Sequence, residues 1–177
     1  DKLTAHLHTI NQGNGEDESN NLGCLIHNAA AQKVHSLVEG AVLEGATLII
    51  GGLPQQPNDS FYPPTILTGV SHGMDITSHE IFGPVLALIP FETDEQVIEY
   101  ANDTDFGLAS YFFTQNVQRL FTISEALEYG MVGANDTMIS NTVAPFGGIK
   151  HSGYGKEGSK YGLEDYLNIK YICLGGH

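Results

Sequence analysis

The sequence predicts an α/β fold, a mostly parallel sheet flanked by helices, and two observations carry that expectation. Short apolar runs at residues 46–52, 85–91, 108–114 and 130–134 have the length and closure of strands. Segments of helical period at 28–44, from Thr93 onward, and at 117–128 alternate with them.

Each element has a local reason. In residues 28–44, Val34, Leu37, Val38, Ala41 and Val42 recur at helical spacing, with Asn28 as the expected N-cap and Gly45 as the stop. Residues 46–52 follow as a buried strand ending in two glycines. Pro63 and Pro64 cannot donate to a sheet ladder, so the extended stretch 61–67 is expected at an edge or at a strand entrance. Residues 85–91 are apolar throughout and read as another buried strand. Thr93 and Gln96 form a capping-box start for a helix that buries Val97, Ile98 and Ala101.

Two segments break the pattern. Residues 137–158 contain Pro145, Gly147, Gly148, Gly153, Gly155 and Gly158, a density that a stable helix or central strand does not carry. They read as a loop, and Phe146 and Tyr154 within it argue that it is ordered and packed. Residues 164–174 carry Tyr166, Ile169, Tyr171 and Ile172 and read as a terminal strand that needs a partner, in this chain or another. The expected division is therefore 1–163, the body of the domain, and 164–177, a strand and tail.

Composition narrows the function classes. Twenty-one Asp and Glu against seven Lys and Arg give a net charge of -14, which disfavours binding to nucleic acid or to an anionic membrane. No apolar run approaches the ~20 residues of a membrane helix. Cys24 and Cys173 form neither a CxxC pair nor a disulfide framework, which fits a reducing compartment. The expected location is intracellular, the cytoplasm ahead of the mitochondrion. Asn58, Asn102 and Asn135 each begin an Asn-x-Ser/Thr triplet, a pattern common by chance. His6 and His8 point to different faces of a helix and have no accompanying acid, so no metal site is expected. The chain opens Asp1-Lys2-Leu3, as if cut from a longer protein.

Two strings are more specific. Glu80-Ile81-Phe82-Gly83-Pro84-Val85 and Pro145-Phe146-Gly147-Gly148-Ile149-Lys150-His151-Ser152-Gly153 resemble signature segments of the NAD(P)-dependent aldehyde dehydrogenase superfamily. Asn11 to Gly15, Tyr62-Pro63-Pro64-Thr65 and Asn102 with Phe106-Gly107-Leu108 fall in the same order. The segments 139–148 and 158–167 look most like those of its succinate-semialdehyde branch.

The resemblance implies a partial catalytic domain with a C-terminal oligomerisation strand. In such enzymes a cysteine thiolate attacks the aldehyde, hydride passes to NAD or NADP, and water activated by a glutamate cleaves the thioester. It implies that the nucleophile, the base and the dinucleotide fold lie ahead of Asp1, so that the chain alone is inactive. Cys24 is expected to be structural rather than a substitute nucleophile. Glu80 would accept hydrogen bonds from the nicotinamide ribose hydroxyls, Phe82 would wall the nicotinamide, and Lys33 would approach the adenosine ribose. Ser140 would contact the distal carboxylate of the substrate and Phe146 would line its tunnel. Glu157 would relay protons or hold the hydrolytic water, beside Lys156 where arginine is usual. Asn135 could aim its amide into the cleft or close a local turn, and Arg119 is left a solvated or ion-pair role.

The expected reaction is oxidation of succinate semialdehyde to succinate, with glutarate semialdehyde or another small aldehyde as an alternative. The full-length protein would be a homo-oligomer, a dimer or tetramer. A non-catalytic module that joins full-length subunits through residues 164–174 is the alternative of a different class.

Overall fold

A computed structural model describes residues 2–54 and 60–176; the Asn58 triplet lies outside them. The chain forms two compact units, Asp1–Phe91 and Glu92–His177.

The first unit is built on α2 (Asn28–Leu43), preceded by the short α1 (Lys2–Leu7). Ala31, Val34, Val38 and Ala41 are its buried residues, and they form one core with Tyr62, Leu67, Val70, Met74 and Ile76. Each fully buried valine contributes about 1.5–2 kcal/mol relative to exposure. Two details differ from expectation. The N-cap is His27, whose Nδ1 accepts the Ala30 N–H at 3.0 Å, and Val42 faces solvent.

The three-stranded sheet runs β1 (Thr47–Ile50), β2 (Thr65–Thr68), β3 (Val85–Ala87), with β1 antiparallel and β3 parallel to β2. Residues 46–52 are expected to be buried, yet β1 is mostly exposed, because it forms an edge with only β2 beside it. Conversely, the stretch after Pro63 and Pro64 is the buried centre of the sheet. The prolines sit just before it, and Thr65 is the first donor, to the Pro84 carbonyl at 2.8 Å. The β3 strand is half-buried. A short helix, α3 (Asp75–Ser78), which no sequence period reveals, carries the chain to residue 80.

In the second unit, α4 (Asp94–Asn102) begins at Thr93, whose Oγ1 accepts the Gln96 N–H at 3.2 Å. The reciprocal bond from Gln96 goes one residue earlier, to the Glu92 N–H at 2.7 Å. Then follow β4 (Phe106–Gly107), β5 (Ala109–Phe112), α5 (Val117–Ala126), β6 (Met131–Ala134) and β7 (Ile149–Lys150). The β5 and β6 strands pair in parallel around α5, as a crossover requires, while β4 and β7 pair antiparallel. Arg119 binds both carboxylate oxygens of Asp94, through Nε at 2.6 Å and through Nη2, tying the starts of α4 and α5 together. That is its ion-pair role.

The expected terminal strand begins differently. Tyr161–Tyr166 is a 3-10 helix, and residues 167–176 have no ladder partner among the described residues. Ile169, Tyr171, Ile172 and Leu174 are all exposed there. No helix among the described residues is long and apolar enough to cross a membrane.

Candidate active site

In the first unit, the segment after α3 presents two groups outward from a fixed base. Gly83 lies so close to α2 that an added Cβ would come within 2.7 Å of Val34 Cγ2, so the chain here is pressed on the core. Lys33, on the same helix, donates from Nζ to the Glu80 carbonyl at 2.6 Å. Between these anchors, Phe82 adopts φ 48°, a left-handed conformation that costs an aromatic residue about 1–2 kcal/mol. Its ring is nevertheless 78% exposed. A strained backbone that displays an apolar ring to solvent marks a contact surface.

Glu80, two residues earlier, is exposed, and a carboxylate can accept two hydrogen bonds from a vicinal diol. These residues fit a nicotinamide riboside: an acid for the hydroxyls and a ring face for the base. Lys33 braces the Glu80 backbone with one of its three donors. His79 closes α3, its Nδ1 2.9 Å from the Asp75 carbonyl oxygen.

In the second unit, the glycine-rich segment folds back on itself. Phe146 N–H donates to the Glu157 carbonyl at 2.8 Å, and Glu157 N–H donates to the Phe146 carbonyl at 2.7 Å. Residues so paired project their side chains to the same face of the ladder. Ser159 N–H donates to the Thr142 carbonyl at 2.9 Å, continuing the closure. Thus the structure pairs the backbones of Phe146 and Glu157, and their side chains leave from the same face. Ser140 is exposed on the stretch that leaves β6, next to Ile139, which packs on Gly133.

Asn135 takes the local of its two expected roles. At φ 60°, its amide accepts the Thr114 N–H and donates to the Thr114 carbonyl, both at 2.8 Å. Asn102 is also built into the fold, donating to the Ala126 carbonyl and accepting the Glu128 N–H, each at 2.8 Å. Cys24 and Cys173 are exposed and unpaired, and neither belongs to the clusters above. Among the described residues no group of His, Cys, Asp or Glu could hold a metal ion.

Sequence reasoning missed the two lysines that order the loop. Lys150, at φ 54°, donates to the Asn102 and Thr104 carbonyls at 2.8 and 3.2 Å and pairs with Glu128 at 2.8 Å. Lys156 donates to the Gly147 and Gly148 carbonyls at 3.0 and 2.8 Å. The available signal was a lysine in each arm of a segment rich in backbone carbonyls and poor in side-chain donors.

The aldehyde dehydrogenase family model matches residues 1–172. The chain belongs to the aldehyde dehydrogenase family. Among curated relatives of this aldehyde dehydrogenase chain, the mitochondrial succinate-semialdehyde dehydrogenase of Oryza sativa is 49% identical over 169 residues, 96% of this chain and 32% of that protein. The glutarate-semialdehyde dehydrogenase of Pseudomonas aeruginosa is 49% identical over 99% of this chain and 36% of its own length. The NADP+ succinate-semialdehyde dehydrogenase of Escherichia coli is 46% identical over the same shares. A crystal structure of the succinate-semialdehyde dehydrogenase of Burkholderia pseudomallei superposes with a TM-score of 0.93 at 46% identity, over 98% of this chain and 36% of that one. The chain therefore spans about a third of the relatives it matches. The α/β class is that of the family.

Proposed function

We propose that this chain is the C-terminal part of an enzyme that oxidises succinate semialdehyde to succinate with NAD or NADP. The observation that carries the reading is Phe82, held at φ 48° and exposed to solvent two residues after the exposed Glu80. Bound NAD or NADP supplies the hydride acceptor. Glu80 would hold the nicotinamide ribose through its two hydroxyls and Phe82 would wall the nicotinamide, so that both residues would position the hydride acceptor. Lys33 keeps the Glu80 backbone in place and has donors left for a ribose hydroxyl.

In the second unit, Phe146 lines the aldehyde's path, Ser140 donates to its distal carboxylate, and Glu157 holds or passes the proton of the hydrolytic water. The thiolate nucleophile and the general base come from sequence outside these 177 residues, so the chain alone does not turn over. Glutarate semialdehyde, one methylene longer, is the second reading. Relatives named for succinate semialdehyde are 49% and 53% identical to this chain, and one named for glutarate semialdehyde is 49% identical.

The exposed apolar residues of 167–174 support assembly: a strand without a ladder partner is suited to pair with another subunit. Two exposed, unpaired cysteines fit a reducing compartment. The test is a chimera in which this chain replaces the aligned segment of the rice enzyme. Aldehyde-dependent NAD(P)H formation is expected, faster with succinate semialdehyde than with a neutral aldehyde of the same length; equal rates with both would reject the carboxylate preference.

A further inference from the structure

Lys156 orders the glycine-rich loop, and its ammonium touches the backbone next to the Phe146–Glu157 pair. Nζ donates to two consecutive carbonyls, of Gly147 at 3.0 Å and Gly148 at 2.8 Å. Its half-buried stem crosses the Gly147 Cα so closely that an added Cβ there would lie 2.9 Å from Lys156 Cδ and 2.6 Å from the Gly155 carbonyl oxygen. On the other side, a Cβ on Gly130 would be 2.0 Å from the Gly147 carbonyl oxygen. The Gly147 peptide is thus clasped between the start of β6 and the Lys156 side chain. Immediately before it stands Phe146, and immediately after Lys156 stands Glu157, the two residues joined by the paired backbone bonds.

We infer that Lys156 is a positioning residue, which sets the register of Phe146 against Glu157 and so aims the Glu157 carboxylate at the water that cleaves the thioester. The inference deepens the proposed function and rests on it for the role of Glu157. The physical argument is local. A charged donor shared by two carbonyls is stronger than neutral bonds and resists sliding of the short ladder beside it. Without it, only two backbone bonds hold the pair, next to Gly147 and Gly148 on one arm and Gly155 on the other. Arginine can offer two parallel N–H groups to the same carbonyls, whereas methionine keeps the stem and loses the donor.

Two measurements test this. Hydrogen exchange on the 177-residue chain reads the ladder without any turnover. Lys156→Met is expected to speed exchange of the Phe146 and Glu157 amides about 10-fold or more while leaving the Leu67 amide in β2 unchanged. In the rice chimera, Lys156→Met should lower the rate of thioester hydrolysis about 10-fold and leave the cofactor dissociation constant within about 2-fold. Lys156→Arg should restore most of that rate. Combined with Glu157→Gln, Lys156→Met should cost nothing further, because both changes remove one function.

Unchanged exchange at Phe146 and Glu157 would overturn the inference, as would losses of rate that multiply in the double variant. A parent chimera that shows no aldehyde oxidation would instead overturn the proposed function. In that case the exchange result still decides whether Lys156 sets the Phe146–Glu157 register.

Discussion

The backbones of Phe146 and Glu157 exchange both of their hydrogen bonds, at 2.8 and 2.7 Å, so ring and carboxylate share one face of a two-residue antiparallel pair. An apolar wall beside a carboxylate holds a water near its target while excluding others. In the chimera, Glu157→Gln is expected to slow hydrolysis about 100-fold, as loss of a proton-handling group does. Rapid-mixing absorbance should show a burst of NAD(P)H followed by a slow steady rate; an unaltered steady rate would remove Glu157 from the reaction.

Glu80 presents its carboxylate in solvent while Lys33 pins its carbonyl at 2.6 Å. The amide variant keeps the shape and one acceptor but loses the charge. Glu80→Gln should therefore reduce the hydride-transfer rate about 10-fold, a misalignment effect, with a smaller change in cofactor affinity. Single-turnover kinetics with a deuterated aldehyde separates the two. A loss confined to affinity would mean that Glu80 binds without aligning.

Strain at Phe82 gives opposite signs for stability and function. Phe82→Gly removes the left-handed penalty of about 1–2 kcal/mol and adds an unfolded-state entropy cost of about 0.5–1 kcal/mol. The expected net gain is about 0.5 kcal/mol in a urea titration, with weakened cofactor binding. Phe82→Ala, which keeps the strain, should weaken binding without the gain. A glycine variant less stable than the alanine one would contradict the strain argument.

Ser140 is exposed and carries a hydroxyl as its only donor beyond the backbone. Ser140→Ala should raise KM for succinate semialdehyde about 10-fold or more, the worth of one hydrogen bond to a charged group, and leave a neutral aldehyde within about 2-fold. Equal effects on both substrates would reject a carboxylate contact.

Tyr62 is buried with 0% exposure, and its hydroxyl donates to the Gly52 carbonyl at 3.1 Å. Loss of solvent, reinforced by the Glu39 charge, pushes its phenol up to about 12 from an ordinary 10.0. The folded state keeps this proton where the unfolded state has released it. Its stabilising effect is complete below the unfolded value and disappears as pH rises through that window toward about 12. Urea midpoints should fall between about pH 10 and about pH 12, and Tyr62→Phe should flatten that fall while lowering stability at neutral pH.

Helix positions were legible because their signals are local: the spacing of Val34 and Val38, and the Thr93 cap, act within one element. Layer order was not. Residues 46–52 are as apolar as a buried strand, and only the pairing with β2 reveals that β1 is an edge. For 65–68, Pro63 and Pro64 leave an edge and a strand entrance open, and only the ladder shows that they stand at the entrance of the central strand. Within the site, the segments 80–85 and 145–153 could be recognised as strings. The contacts that make them rigid could not, since Lys33 reaches Glu80 across 47 residues and Lys150 reaches Asn102 across 48.

The most direct measurement compares the purified 177-residue chain with the rice chimera in the same absorbance assay, using succinate semialdehyde and either dinucleotide. We expect NAD(P)H from the chimera and none from the chain by itself, because the proposed function assigns this polypeptide the grip on cofactor and aldehyde and assigns the attacking thiolate to other sequence. Steady turnover by the isolated chain, or a folded chimera that binds dinucleotide yet leaves the aldehyde untouched, would contradict it.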